Sequence, residues 1–131
     1  MRVFLYSIGR LIVGAYLIYS GVHHFTRYSS MVQYATMKGV PLAGAAIPLS
    51  GLLVIVAGAS FLLGYRTDIG VAALVVFLIP VSYMMHSFWA ETGAQMQADE
   101  INFLKNMALL GSGLIFLELP RPWPFGLSKK R

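Results

Sequence analysis

Four runs of about twenty apolar residues, held apart by short polar pieces, limit what this chain can become more than any other feature. They fall at about residues 3–22, 43–63, 69–88 and 101–119. A helix rises about 1.5 Å per residue, so roughly 20 residues cross about 30 Å of hydrocarbon. In lipid each backbone polar group has to be satisfied within its own segment, and the runs lack the alternating polarity of a membrane barrel. The expectation is an all-α integral membrane four-helix bundle, a single transmembrane domain filling the 131 residues. Composition agrees: only 11% of the residues are charged and mean hydropathy is +0.69, far from a soluble domain.

The connections add detail. Residues 25–42 are long enough for a short amphipathic surface helix over 31–37, capped by Ser29 or Ser30, with Met31, Tyr34 and Ala35 on one side. Gly64 and Asp68 read as a helix stop and the next N-cap around a tight turn. Residues 90–100 form a polar, acidic connection, and the tail 120–131 is proline-stiffened and basic. Arg2, Arg66, Arg121, Lys129, Lys130 and Arg131 gather on one side, with Arg10 near them; Arg27, Lys38 and Lys105 occupy the other. Both termini are therefore expected in the cytoplasm. Gly14 and Gly21 in the first run, and Gly51 and Gly58 in the second, repeat at seven residues and so mark close-packing stripes, while Pro80 should kink the third helix.

Some function classes drop out. With no cysteine, thiolate metal sites, iron–sulfur clusters and a cysteine nucleophile are excluded. The net charge of +5 sits beside apolar segments and reads as a topology signal, so no nucleic-acid partner is expected. The first run is too long for a cleaved leader, contains Arg10 and lacks a small-x-small cleavage site.

Charge inside a membrane costs a few kcal/mol or more and needs a reason. On the cytoplasmic side, Arg10 lies roughly 10 Å along the first helix by the helical rise. It is expected to form a structural pair with Glu118 or a neighbouring carbonyl, or else to snorkel to the headgroups. On the outward side, His23, His24, His86, Trp89, Asn102, Lys105 and Asn106 fall at one depth, beside Glu91, Asp99 and Glu100. Such a vestibule suits a quinone ring or a lipid, a divalent metal held by histidines, haem iron, or plain interfacial anchoring. His23 and His24 diverge by about 100° on a helix, and no helix carries a tight metal-ligand spacing.

The segment Ser20-Gly21-Val22-His23-His24-Phe25 resembles the opening motif of the DoxX-like family of small four-helix inner-membrane proteins. Lys38-Gly39-Val40-Pro41, the stretch from Gly58 to Gly64, and His86-Ser87-Phe88-Trp89 resemble later motifs in the same order. Asn102-Phe103-Leu104-Lys105-Asn106 with Leu109-Leu110-Gly111 completes a likeness that covers nearly the whole chain. The resemblance implies a multi-pass protein of a bacterial or archaeal cytoplasmic (inner) membrane. The family is functionally mixed: its namesakes are the membrane subunit of a thiosulfate:quinone oxidoreductase, and others are linked to oxidative-stress complexes. It implies a small membrane subunit of a quinone-linked redox system that anchors membrane or peripheral protein subunits, with His23, His24, His86, Trp89, Asn102, Lys105 and Asn106 near a quinone or lipid. The alternative is a noncatalytic accessory subunit or assembly factor. Many relatives carry a glutamate in the second helix, whereas residues 51–57 here are entirely apolar, which removes a candidate proton carrier.

Overall fold

A computed structural model describes residues 1–127; the basic tail residues Lys129, Lys130 and Arg131, used above for orientation, lie outside the described residues. Among those described, the architecture is all-α, with no strand. The helices are α1 (Arg2–Thr26), α2 (Tyr28–Met37), α3 (Ala43–Leu63), α4 (Thr67–Met85) and α5 (Gly93–Glu118), with a 3-10 turn at Phe88–Ala90. Three helical stretches are long and apolar enough to cross a membrane: Arg2–Thr26, Ala43–Leu63 and Thr67–Ala90. The fourth, α5, has the length, but Asp99, Glu100, Asn102, Lys105 and Asn106 dilute its first half.

Several boundaries move for physical reasons. Hydropathy marks where lipid begins, not where a helix ends, so α1 runs on to Thr26 and α5 starts at Gly93. The expected polar connection at 90–100 is therefore mostly helix, built from good helix formers such as Ala94, Gln95, Gln97, Ala98 and Glu100. The short surface helix begins at Tyr28 rather than at 31, and neither serine caps it: Ser30 Oγ donates to the Arg27 carbonyl. Asp68 lies inside the first turn of α4, whose cap is Arg66 with φ 47°. Gly64 does stop α3, at φ 60°.

Packing follows the glycines. α1 lies against α3, α3 against α4, and α4 against α5, while α2 crosses the start of α3. Gly14 faces Gly58 and Gly21 faces Gly51; a Cβ on Gly58 would stand 2.9 Å from the Gly14 carbonyl oxygen, and one on Gly21 3.0 Å from that of Gly51. Lipid tails are as apolar as leucine, so close backbone approach and van der Waals contact drive this pairing. Leu17, Val54, Phe61, Leu74, Leu78 and Phe116 fill the centre, and a smaller core of Ala35, Ala43 and Ile47 seats α2.

Residues 120–127 are not a loose tail. They fold back over the end of the bundle, burying Trp123 edge-on against Tyr6 and Phe116 at 5.6 and 5.4 Å. Leu127 N–H donates to the Leu63 carbonyl at 2.8 Å.

Candidate functional site

The chain turns sharply after α2 through Gly39 at φ 77°, and this leaves Lys38 aimed at the junction between α4 and α5. There the 3-10 turn presents Glu91, and Gly93 at φ 60° starts α5 so that its second turn returns towards His86. Lys38 Nζ lies 2.6 Å from Glu91 Oε1 and 2.6 Å from Asp99 Oδ2. Asp99 is 1% exposed and is the best-partnered group of the site. Its Oδ2 also accepts from Gln95 Nε2 at 3.1 Å, and its Oδ1 lies 3.4 Å from His86 Nδ1, a long contact. Gln95 Nε2 lies 3.2 Å from the Tyr34 hydroxyl, and Lys38 Nζ stands 5.8 Å from the Tyr34 ring centre.

The electrostatics follow from that arrangement. Burial opposes the charge on Lys38, but hydrogen bonds to Asp99 and Glu91 outweigh it and hold the ammonium well above the ordinary lysine pKa. Burial likewise pushes Asp99 up, and the donors Lys38, Gln95 and His86 reverse this and hold its carboxyl below the ordinary range. Both groups stay charged at neutral pH. His86 Nδ1 faces a carboxylate, which fixes how the ring is oriented and leaves Nε2 with no hydrogen-bond partner among the described residues.

The other expected residues are placed as follows. Asn106 Nδ2 donates to Ser82 Oγ at 3.1 Å and so ties α5 to α4. Asn102 is half-buried one turn before it, while Lys105 is exposed and outside the hydrogen-bond network. Trp89 is exposed, with its ring against Tyr83, Phe88 and Phe103 in an aromatic group at the end of the bundle. His23 and His24 point apart and do not join the network. His23 lies over Tyr19, with ring centres 4.2 Å apart. His24 is buried, its Nδ1 2.9 Å from the Ser20 carbonyl oxygen and its ring edge-on to Phe77. Among the described residues no group of three or more histidine and acidic side chains is arranged to hold a metal ion.

At the opposite end, buried Arg10 takes the carbonyl partner rather than the carboxylate. Its Nη1 donates to Pro124 O at 3.0 Å, and its guanidinium carbon stands 5.9 Å from the Trp123 ring centre. Glu118 is exposed and forms no ion pair among the described residues. The returning tail brings a carbonyl within reach, which separation along the helices does not reveal.

Tyr34, Lys38 and Gln95 are the network members that sequence reasoning passed over as site residues. Charge balance carries the signal: Glu91, Asp99 and Glu100 gather beside few cations, and Lys38 is one of three basic residues assigned to their side.

The DoxX family model matches residues 5–87, more than half of the chain. The chain belongs to the DoxX family. It is also similar to inner membrane protein YphA of Escherichia coli (strain K12), at 24% identity over 129 residues covering 98% of this chain and 91% of that protein. No solved structure matches. With three helices fit to span a bilayer, this DoxX-family chain is a multi-pass inner-membrane protein. The matched part contains Lys38 and His86 but ends before Glu91, Gln95 and Asp99.

Proposed function

We propose that the chain is a small membrane subunit of a quinone-linked redox system, with the quinone ring placed against His86 at the outward end of the bundle. The observation that carries this reading is the Asp99–His86 pair beside Lys38, in a family protein of the inner membrane. In the same reading α5 makes the fourth crossing, the chain is one transmembrane domain, and both termini lie in the cytoplasm with Arg2, Arg66 and Arg121.

The donor set suits such a ring. With its Nδ1 proton held towards Asp99, neutral His86 offers Nε2 as an acceptor for a quinol hydroxyl; as an imidazolium it donates from Nε2 to a quinone carbonyl, and Asp99 stabilises that charge. Gln95, which donates to both the Tyr34 hydroxyl and Asp99, helps set the position of Asp99. Quinone chemistry exchanges two electrons and two protons. With no cysteine for a cluster, the electrons pass to or from a flavin, haem or metal centre on a partner subunit.

The test is affinity isolation from native membranes in mild detergent, identification of what is retained, and quinone turnover by the recovered assembly. His86→Ala is expected to abolish turnover while leaving assembly intact. Unchanged turnover would sink the proposal.

A noncatalytic accessory subunit is the second reading. It is favoured by the way Lys38 is satisfied by two carboxylates, as a purely structural clasp would be, and by the apolar stretch 51–57. Recovery in a large complex that retains no quinone, with His86→Ala silent, would select it.

A further inference from the structure

A cavity of about 260 Å³ lies beneath α2, between α3 and α4. We infer that it holds the first part of the hydrocarbon tail of a membrane amphiphile with an uncharged head, which enters sideways from the lipid. The identity of the head rests on the quinone reading above; the tail site stands on its own geometry.

The lining is almost wholly apolar. Ala35 and Val40 close it from the α2 side, Ala46 and Ile47 from α3, and Pro80 and Met85 from α4. Its one hydroxyl, on Ser50, is already donated to the Ile47 carbonyl at 2.8 Å and asks nothing of an occupant. Small side chains at 35 and 46 leave the space. Leu49 and Val76 also line it and are 61% and 59% exposed, so the cavity meets the membrane along the seam between α3 and α4. At about 30 Å³ per water-sized group it has room for roughly nine methylene-sized groups, enough for the near end of a tail but not for a whole long one.

Two lining residues are close in the chain to members of the polar network. Met85 immediately precedes His86, and Val40 follows Lys38 by two residues. An amphiphile with its chain inside therefore brings its head to that network. Charge decides which kind of head. The single ammonium of Lys38 is shared between Glu91 and Asp99, so a phosphate would meet two carboxylates and a cation already committed to them. A head with carbonyl or hydroxyl oxygens meets His86 Nε2 without that conflict. At Lys38 the network thus leaves no uncommitted cation for an anionic head, while His86 offers a partner to a neutral, hydrogen-bonding one.

The test uses the full chain, exchanged from detergent into amphipol so that free detergent does not compete. Three probes are titrated: decylubiquinone, the same quinone ring without a tail, and n-decanol. Two variants narrow the cavity, Ala46→Trp inside and Val76→Trp at its lipid-facing mouth, where a large side chain is tolerated by the fold. Circular dichroism and melting establish that each variant is folded, and Val76→Trp decides if Ala46→Trp is not. Decylubiquinone and decanol are expected to bind the variants about tenfold or more weakly, as displacing two or three methylenes requires. The tailless ring should be unaffected. Equal binding of decylubiquinone to parent and variants, or no binding of either decyl probe to the parent, would overturn the tail site. If decanol binds and is lost in the variants, while His86→Ala changes no quinone affinity, the tail site stands and the quinone reading fails.

Discussion

Replacing Lys38 by methionine keeps most of the length and the apolar stem of the side chain and removes its charge. Asp99, at 1% exposure, cannot turn to solvent when this happens; Glu91, at 30%, can. The buried carboxylate is left with Gln95 and a long contact to His86. Breaking one partner of a buried ion pair costs about 3–5 kcal/mol. We expect Lys38→Met to fall near the lower end, about 3 kcal/mol, because two donors to Asp99 survive. Glu91→Gln should cost under about 1 kcal/mol, since that pair is partly exposed. The double variant Lys38→Met with Asp99→Leu should recover most of the loss, because replacing both partners by apolar groups is often near neutral.

The assay is equilibrium unfolding in mixed micelles, run as a double-mutant cycle. A loss below about 1 kcal/mol for Lys38→Met, or a double variant no better than the single ones, would refute the clasp as a buried, coupled pair. The pH dependence supplies a second check. Asp99 has a pKa lowered by folding, so its contribution is complete above the ordinary aspartate value of 3.8 and is lost as pH falls through the folded value. Lys38 has a raised pKa, so its contribution is complete below the ordinary lysine value of 10.5 and is lost only above it. The clasp should hold from about pH 5 to pH 9, and Lys38→Met should remove the loss of stability on acidification.

Other perturbations separate structural roles from chemical ones. Gly58→Val places a Cβ 2.9 Å from the Gly14 carbonyl oxygen, a backbone atom, and should cost about 2 kcal/mol or more by the same unfolding assay, whereas Gly111→Ala, which meets nothing, should be near neutral. Glu118→Gln should change stability by less than about 0.5 kcal/mol, because Arg10 is held by Pro124 and not by that carboxylate. Trp123→Ala should cost about 3–5 kcal/mol and expose residues 120–127 to limited proteolysis, since Trp123 packs against Tyr6, Phe61 and Phe116.

Three of the four expected spans and the glycine stripes were legible because both follow from one-dimensional rules, length against bilayer thickness and a seven-residue return to one helix face. The fourth run lies in α5, whose polar first half keeps it out of that set. α3 ends where Gly64 says it should, and the two glycine stripes expected from spacing do make close contacts, though which glycine meets which is set by the packing of α1 on α3. The site was legible only as an inventory. Depth placed His23, His24, His86, Lys105 and the acids in one layer, but depth says nothing of azimuth. Rotation of α1 sends His24 into Phe77 and His23 onto Tyr19, and rotation of α5 leaves Lys105 exposed while Asp99 turns inward. The cation that Asp99 finds comes from Lys38, 61 residues away, because Gly39 turns the chain after α2.

That long-range closure links the proposals. The same turn that brings Lys38 to Asp99 lays Ala35 and Val40 over the seam between α3 and α4, so the clasp and the roof of the apolar cavity are one piece of chain. Loosening the clasp should therefore loosen the roof. A variant that breaks the ion pair without touching the cavity wall, such as Asp99→Asn, is then expected to weaken decyl-chain binding as well as stability. If stability falls while tail affinity stays unchanged, the roof is held by the small core of Ala35, Ala43 and Ile47 alone, and the polar network serves only the head.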